Sequence, residues 1–310
     1  MSAIQRKHKD RLFQKLFGDE SNRKNLLSLF NALNHTNYTD ENDMEINTID
    51  DVIYMGMKND VSCMLDNYMT LSEHQSTFNP NMPIRGLMYF GRLYDKYIKR
   101  NGLNLYSEKL LKLPTPKYFV LYNGDMNTPD IVDLKLSDSF IHKDENNHFE
   151  WTATMVNINY GHNNGLLNSC IILKEYSILI SKIKRNLKNG LDVEIAVNRA
   201  VDECINENIL REYLISHKAE VVGMCITEYN EQETMYALKQ EWFNDGVETG
   251  IRQGIEQGIE QGKEDGLKSL VKILKKFMSD IDTIYKTVIE DENFSDVTYE
   301  QVKKYYDSEQ

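Results

Sequence analysis

The stretch from Val61 to Gln75, VSCMLDNYMTLSEHQ, constrains the fold of this chain more than any other. Two short runs rich in apolar and β-branched residues flank Asp66-Asn67. That pattern reads as two strands joined by a two-residue turn, since Asn tolerates the left-handed backbone such turns require. Leu65 then faces Tyr68, and the numbers of every facing pair sum to 133. The same register, carried outward, sets Asp60 opposite Glu73 and Lys58 opposite Gln75. Alternation puts Gln75 beside Glu73 on one face of the sheet and sends His74 to the other, where it reads as structural.

Two acids directly opposite one another destabilise a strand pair, and a desolvated carboxylate is costly without a partner. The pattern therefore asks for a positive charge between Asp60 and Glu73. Their Cβ atoms would lie about 4.5–5.5 Å apart, close enough to share one ion. Oxygen ligands completed by water suit Mg²⁺, or Mn²⁺, rather than zinc. Solvated surface positions for both acids are the alternative.

Around this hairpin the chain alternates helical and extended patterns. Leu12 and Leu16, then Leu26, Leu27, Phe30 and Leu33, recur at helical spacing with Gly18 as a break. Residues 36–50 are polar and acidic and read as a loop, and DVIYMG (51–56) as a further strand. IRGLMYFGRLYDKYIKRNGL is helical, with Leu87, Phe90, Tyr94 and Tyr97 on one side and Arg85, Tyr89 and Arg92 sharing another face at i, i+4 and i+7. PKYFVLYNG, DIVDLKLSDSF and FEWTATMVNINY extend the sheet, and residues 165–239 are helical. The order predicts an α/β sheet flanked by helices, with a helical part packed on it.

Charge and composition narrow the partners. The net charge of −12 argues against a uniformly nucleic-acid-binding surface. Its distribution does not: eight bases against two acids in 84–117, and seven against three in 1–35, flank an acidic strip over 36–75 with one base and nine acids. Such a layout brings a polyanion and a divalent cation to one place, although ordinary solvated helix faces would carry the same charges. The first residues lack an apolar signal-peptide core, and no apolar run is long enough to span a bilayer, so no membrane partner is expected. Cys63, Cys170, Cys204 and Cys225 form no CxxC pair, which points to reduced thiols and a cytoplasmic protein.

The segments DRLFQKLFG, MKNDVSCML, SEHQSTFNPNMPIRGLMYF, PKYFVLYNG and VNINYGHNNGLL together resemble the Rpn family of recombination-promoting nucleases and putative transposases. That family belongs to the PD-(D/E)xK nuclease superfamily. The resemblance covers about residues 8–235 and implies a metal-dependent DNA endonuclease on a restriction-endonuclease-like mixed sheet. Asp60 and Glu73 fall on the family's two acids, and Gln75 on the position where the superfamily usually has lysine. A glutamine lacks the ammonium charge but orients water and binds a phosphate oxygen; Lys58 on the facing strand is a candidate to supply the charge. Asp10 resembles the acid that many superfamily members place near the metal, and is equally read as a solvated helix residue. Arg85, Tyr89 and Arg92 are candidates to grip DNA phosphates, or else belong to a helix packed on the sheet with its arginines reaching outward. On this reading residues 1–239 form the nuclease-like domain, with the sheet within about 1–160 and a helical part from 161. A non-catalytic DNA-binding or protein-interaction module keeping the same fold is the competing expectation, and an RNA-processing nuclease would use the same residues.

Past that domain, glycine recurs every fourth residue from Gly246 to Gly266. Each Gly costs about 0.8–1 kcal/mol against Ala inside a helix, so six cost roughly 5–6 kcal/mol. Residues 240–268 are therefore either a flexible arm or linker, or a helix whose glycines let a second helix approach closely in a homo-oligomer. An amphipathic, acidic helical tail follows over 269–310.

Overall fold

The computed structural model describes residues 11–46, 61–142 and 148–308, apart from the side chains of 231–233, 235 and 239. The chain divides into two units, 1–233 and 234–310.

The first unit is built on a six-stranded mixed sheet. Its strands are β1 (Glu45–Ile46), β2 (Val61–Leu65), β3 (Tyr68–Gln75), β4 (Thr115–Tyr122), β5 (Ile131–Lys135) and β6 (Thr152–Asn157), in the order β1-β2-β3-β4-β6-β5. β2 and β3 form the expected antiparallel hairpin, paired from Leu65↔Tyr68 to Val61↔Ser72, and every pair sums to 133. The turn differs in one detail. Asp66, at φ 54°, takes the left-handed conformation, not Asn67. Its carboxylate accepts hydrogen bonds from Asn67 Nδ2 and from Tyr38 Oη, both at 3.0 Å, and these contacts fix the turn. β3, β4 and β6 run parallel; on one side β2 is antiparallel to β3 and β1 antiparallel to β2, and on the other β5 is antiparallel to β6.

Each face of the sheet has its own core. On one, Met69 and Leu71 of β3 and Tyr118, Val120 and Met155 pack against Phe90 and Leu93 of α3 (Met82–Arg100). Gly86 permits the closest approach there: a Cβ added to it would meet Tyr118 Cε1 at 2.4 Å. Leu87, expected on the buried side of this helix, is exposed instead, and the buried line runs through Gly86, Tyr89, Phe90 and Leu93. The other face is covered by α1 (Arg11–Phe17), α2 (Arg23–Asn34), α4 (Asn164–Ser169) and α5 (Ile171–Lys188), whose apolar residues meet Val61, Cys63, Leu65 and Leu121. α6 (Val193–Asn206) packs on α5 and contributes Val197, Ala200 and Val201 to that core. Residues 36–50, read as a loop, contain a turn of 3₁₀ helix at Glu41–Asp43 and the short strand β1. DVIYMG lies outside the described residues.

Helix α7 (Arg211–Leu274) kinks at His217 and carries the glycine repeat. The stretch read as a possible flexible linker is thus helical throughout. In the second unit, Leu267 and Val271 of α7 bury against Ile284 and Val288 of α8 (Ile281–Ile289) and Val302 of α9 (Tyr299–Asp307). A capping box between Thr298 and Gln301 starts α9. The expected acidic tail is a small folded cluster with its own core. No helix among the described residues is long and apolar enough to cross a membrane.

Candidate active site at the carboxyl ends of the parallel strands

Glu73 and Gln75 stand at the carboxyl end of β3, where β4 and β6 also end. Ligands of α/β sheets characteristically bind beyond these ends. Both residues face α3, because alternation places them in line with Met69 and Leu71. Glu73 is 1% exposed, while Gln75 is half-buried at the strand's last position. Gln75 is held by its backbone, whose carbonyl accepts from Asn123 N at 3.1 Å.

Glu73 has a cationic partner on α3. Arg85 Nη2 lies 2.9 Å from Glu73 Oε2, in a side chain only 21% exposed. Burial by itself lowers the arginine's pKa, but the Glu73 carboxylate, assisted by Tyr89, more than reverses this and holds the guanidinium charged. Arg85 Nη2 also donates to Tyr89 Oη at 3.3 Å, and its guanidinium sits 5.9 Å from the centre of that ring. Arg85 and Tyr89 are therefore drawn inward together, and Tyr89 is fully buried. Arg92, one face-turn further on, is half-buried. Of the three candidates on this face, Arg85 and Tyr89 pack inward against the sheet, as in the packed-helix alternative, and Arg92 keeps both readings.

Asp10, Lys58 and Asp60 lie outside the described residues. Among the described residues no three His, Cys, Asp or Glu side chains gather to hold a metal ion. The donors that are described, the Glu73 carboxylate and the Gln75 amide, are oxygen ligands of the kind hard cations take. They match Mg²⁺ in chemistry and need a further acid to complete a site.

On the opposite face, His74 fills a structural role. Its ring stacks on Phe13 with centroids 5.3 Å apart, and its Nε2 lies 3.2 Å from Tyr176 Oη. Burial, with Lys184 nearby, pushes its pKa down to about 3, so it stays neutral. Asn123 Nδ2 donates to the same Tyr176 oxygen at 3.4 Å. Lys184, from α5, closes this end of the sheet by bonding the Asn123 carbonyl, Asp125 Oδ1 at 3.1 Å and Asn159 Oδ1 at 3.3 Å. Burial lowers the pKa of Lys184, and Asp125 partly opposes the shift. Sequence reasoning missed this polar network. Nothing in the sequence around Lys184 distinguished it from other helix-surface lysines.

No family model, curated protein or solved structure matches the chain.

Proposed function

We propose that this protein is a metal-dependent endonuclease that hydrolyses DNA phosphodiester bonds, with the restriction-endonuclease-like architecture that its likeness to the Rpn family implies, in recombination or mobile-element processes. The observation that carries the reading is a buried carboxylate, Glu73, next in line after the pair Val61↔Ser72 in the 133 register and at the carboxyl ends of three parallel strands. One more pair in that register would set Asp60 opposite it. Asp60 and Glu73, with the backbone carbonyl that follows Glu73 and with Asp10 as a third acid, would hold Mg²⁺ or Mn²⁺. When bound, such an ion supplies an activated water and offsets charge on the scissile phosphate. Gln75, sharing the face of Glu73, orients that water or takes a phosphate oxygen through its amide. Lys58 contributes the cationic charge that Gln75 lacks. Arg85 fixes one carboxylate oxygen of Glu73, and Arg92 meets the nucleic-acid backbone. The four cysteines form no disulfide and are buried, in keeping with a reducing compartment such as the cytoplasm.

One observation favours a second reading, a DNA-binding or protein-interaction module without catalysis. Arg85 already neutralises Glu73, so the carboxylate is stable there with no ion bound. Nicking of supercoiled plasmid in Mg²⁺ separates the two. The endonuclease reading expects activity in the wild type and a loss of at least about 100-fold in both Asp60→Asn and Glu73→Gln, since each removes a metal-holding charge. Nicking that persists in both variants rejects this site, and an inactive wild type that still shifts DNA supports the module.

A further inference from the structure

Within the second unit, the repeat of glycine, a branched aliphatic residue and two polar residues continues as unbroken helix. A Cβ added at Gly246, Gly250, Gly254, Gly258 or Gly262 would meet no heavy atom within 4 Å. Ile251, Ile255 and Ile259 are 59%, 59% and 67% exposed. Within the described residues neither row is covered. A helix this rich in glycine is a poor helix on propensity alone and is stabilised chiefly by packing.

The arrangement of the rows says what packs there. Residues on a helix are spaced 100° apart, so the isoleucine row adjoins the glycine row on one side and Gln253, Gln257 and Gln261 adjoin it on the other. Glu256 and Glu260 fall on the far side. The isoleucines make a ridge and the glycines a groove, both along i±4 rows of the same pitch. Two such surfaces interdigitate when helices cross at about −50°. This surface is complementary to itself. It is also uncharged, so two copies of a chain of net charge −12 meet there without opposing their acids, and a charged partner finds nothing on it to pair with. Glutamine amides both donate and accept, which lets identical borders bond across the crossing.

We propose that this face is the docking site for a second copy of the chain, each seating its isoleucine ridge in the glycine groove of the other around Gly254, Ile255 and Gly258. The rows turn about 40° with each repeat, so the helices cross and part and do not coil together over their length.

Cross-linking and sedimentation of the full chain test this. All four native cysteines are buried, so a new surface cysteine reports its own neighbours. Ile255→Cys is expected to give a covalent dimer on mild oxidation, and Glu256→Cys, on the far side, to stay monomeric. The wild type at micromolar concentration is expected to sediment at twice 36.2 kDa. Gly254→Leu/Gly258→Leu fills the groove and should return it to the single-chain mass with helix content by circular dichroism unchanged or higher. A monomeric wild type, equal cross-linking at 255 and 256, or a dimer that survives the filled groove each overturns the proposal. None of these outcomes bears on hydrolysis at Glu73.

Discussion

Arg85 reaches from the first turns of α3 to place Nη2 2.9 Å from Glu73 Oε2, joining a helix to the end of the central strand through a buried ion pair. A carboxylate on the middle strand of a sheet is thereby held in a largely apolar layer. The guanidinium is in turn held by Tyr89, and the three side chains behave as one polar inclusion beneath the helix.

Removing one partner of such a pair leaves the other charge buried without compensation. Arg85→Met is expected to lower stability by about 3–5 kcal/mol, read from urea denaturation. Arg85→Met combined with Glu73→Gln should cost less than Arg85→Met alone, because no uncompensated charge remains. A single substitution costing under about 1 kcal/mol would mean that water screens the pair as it does at a surface.

His74 sets an acid limit. Folded, its pKa lies at about 3; unfolded, it returns to the ordinary 6.5. Between these values the unfolded chain binds the extra proton, so stability present above pH 6.5 is lost as pH falls toward 3. The slope contributed by this one group is up to about 1.4 kcal/mol per pH unit. His74→Gln should therefore give a shallower acid limb in the plot of unfolding free energy against pH. An identical limb would show that the imidazole is already protonated in the fold.

Gly86 is the contact point of α3 with the sheet. An added methyl group would stand 2.4 Å from Tyr118 Cε1 and 2.9 Å from Trp151 Nε1, inside a packed layer. Gly86→Ala gains helix propensity yet is expected to destabilise by about 1–3 kcal/mol through overpacking. Gly91→Ala, on the same helix with nothing within 4 Å, should be neutral or stabilising. Equal effects at the two positions, measured by thermal unfolding, would contradict the packing described.

Thr298 begins α9 by accepting from Gln301 N, and the Gln301 side chain bonds back to Thr298 N at 2.8 Å. Thr298→Ala is expected to cost about 1 kcal/mol. Hydrogen exchange of the α9 amides should rise with it. Protection unchanged in that helix would mean the box does not set its stability.

Chemistry at the proposed site gives a final expectation. Lys58→Ala should slow plasmid nicking by at least about 10-fold if that ammonium replaces the superfamily lysine, as general electrostatic stabilisation of phosphoryl charge requires. A rate equal to the wild type would leave Gln75 acting alone.

Local pattern alone fixed a good deal of this molecule. Alternating residues and a two-residue turn determined the hairpin and its register, since a slip of one position would have turned Leu71 and Glu73 to the wrong face. Helical spacing located α2, α3 and α5, and the glycine period marked a distinct segment. Tertiary structure decided what spacing is blind to. Arg85 and Tyr89 share a helix face with Arg92, yet only contact with the sheet could turn the first two inward, because the cost of burying Glu73 is met by whichever cation lies across the layer gap. Lys184 joined the strand ends for the same reason: its carbonyl and amide partners come from loops far away in sequence, and no periodicity along the chain encodes a meeting of that kind.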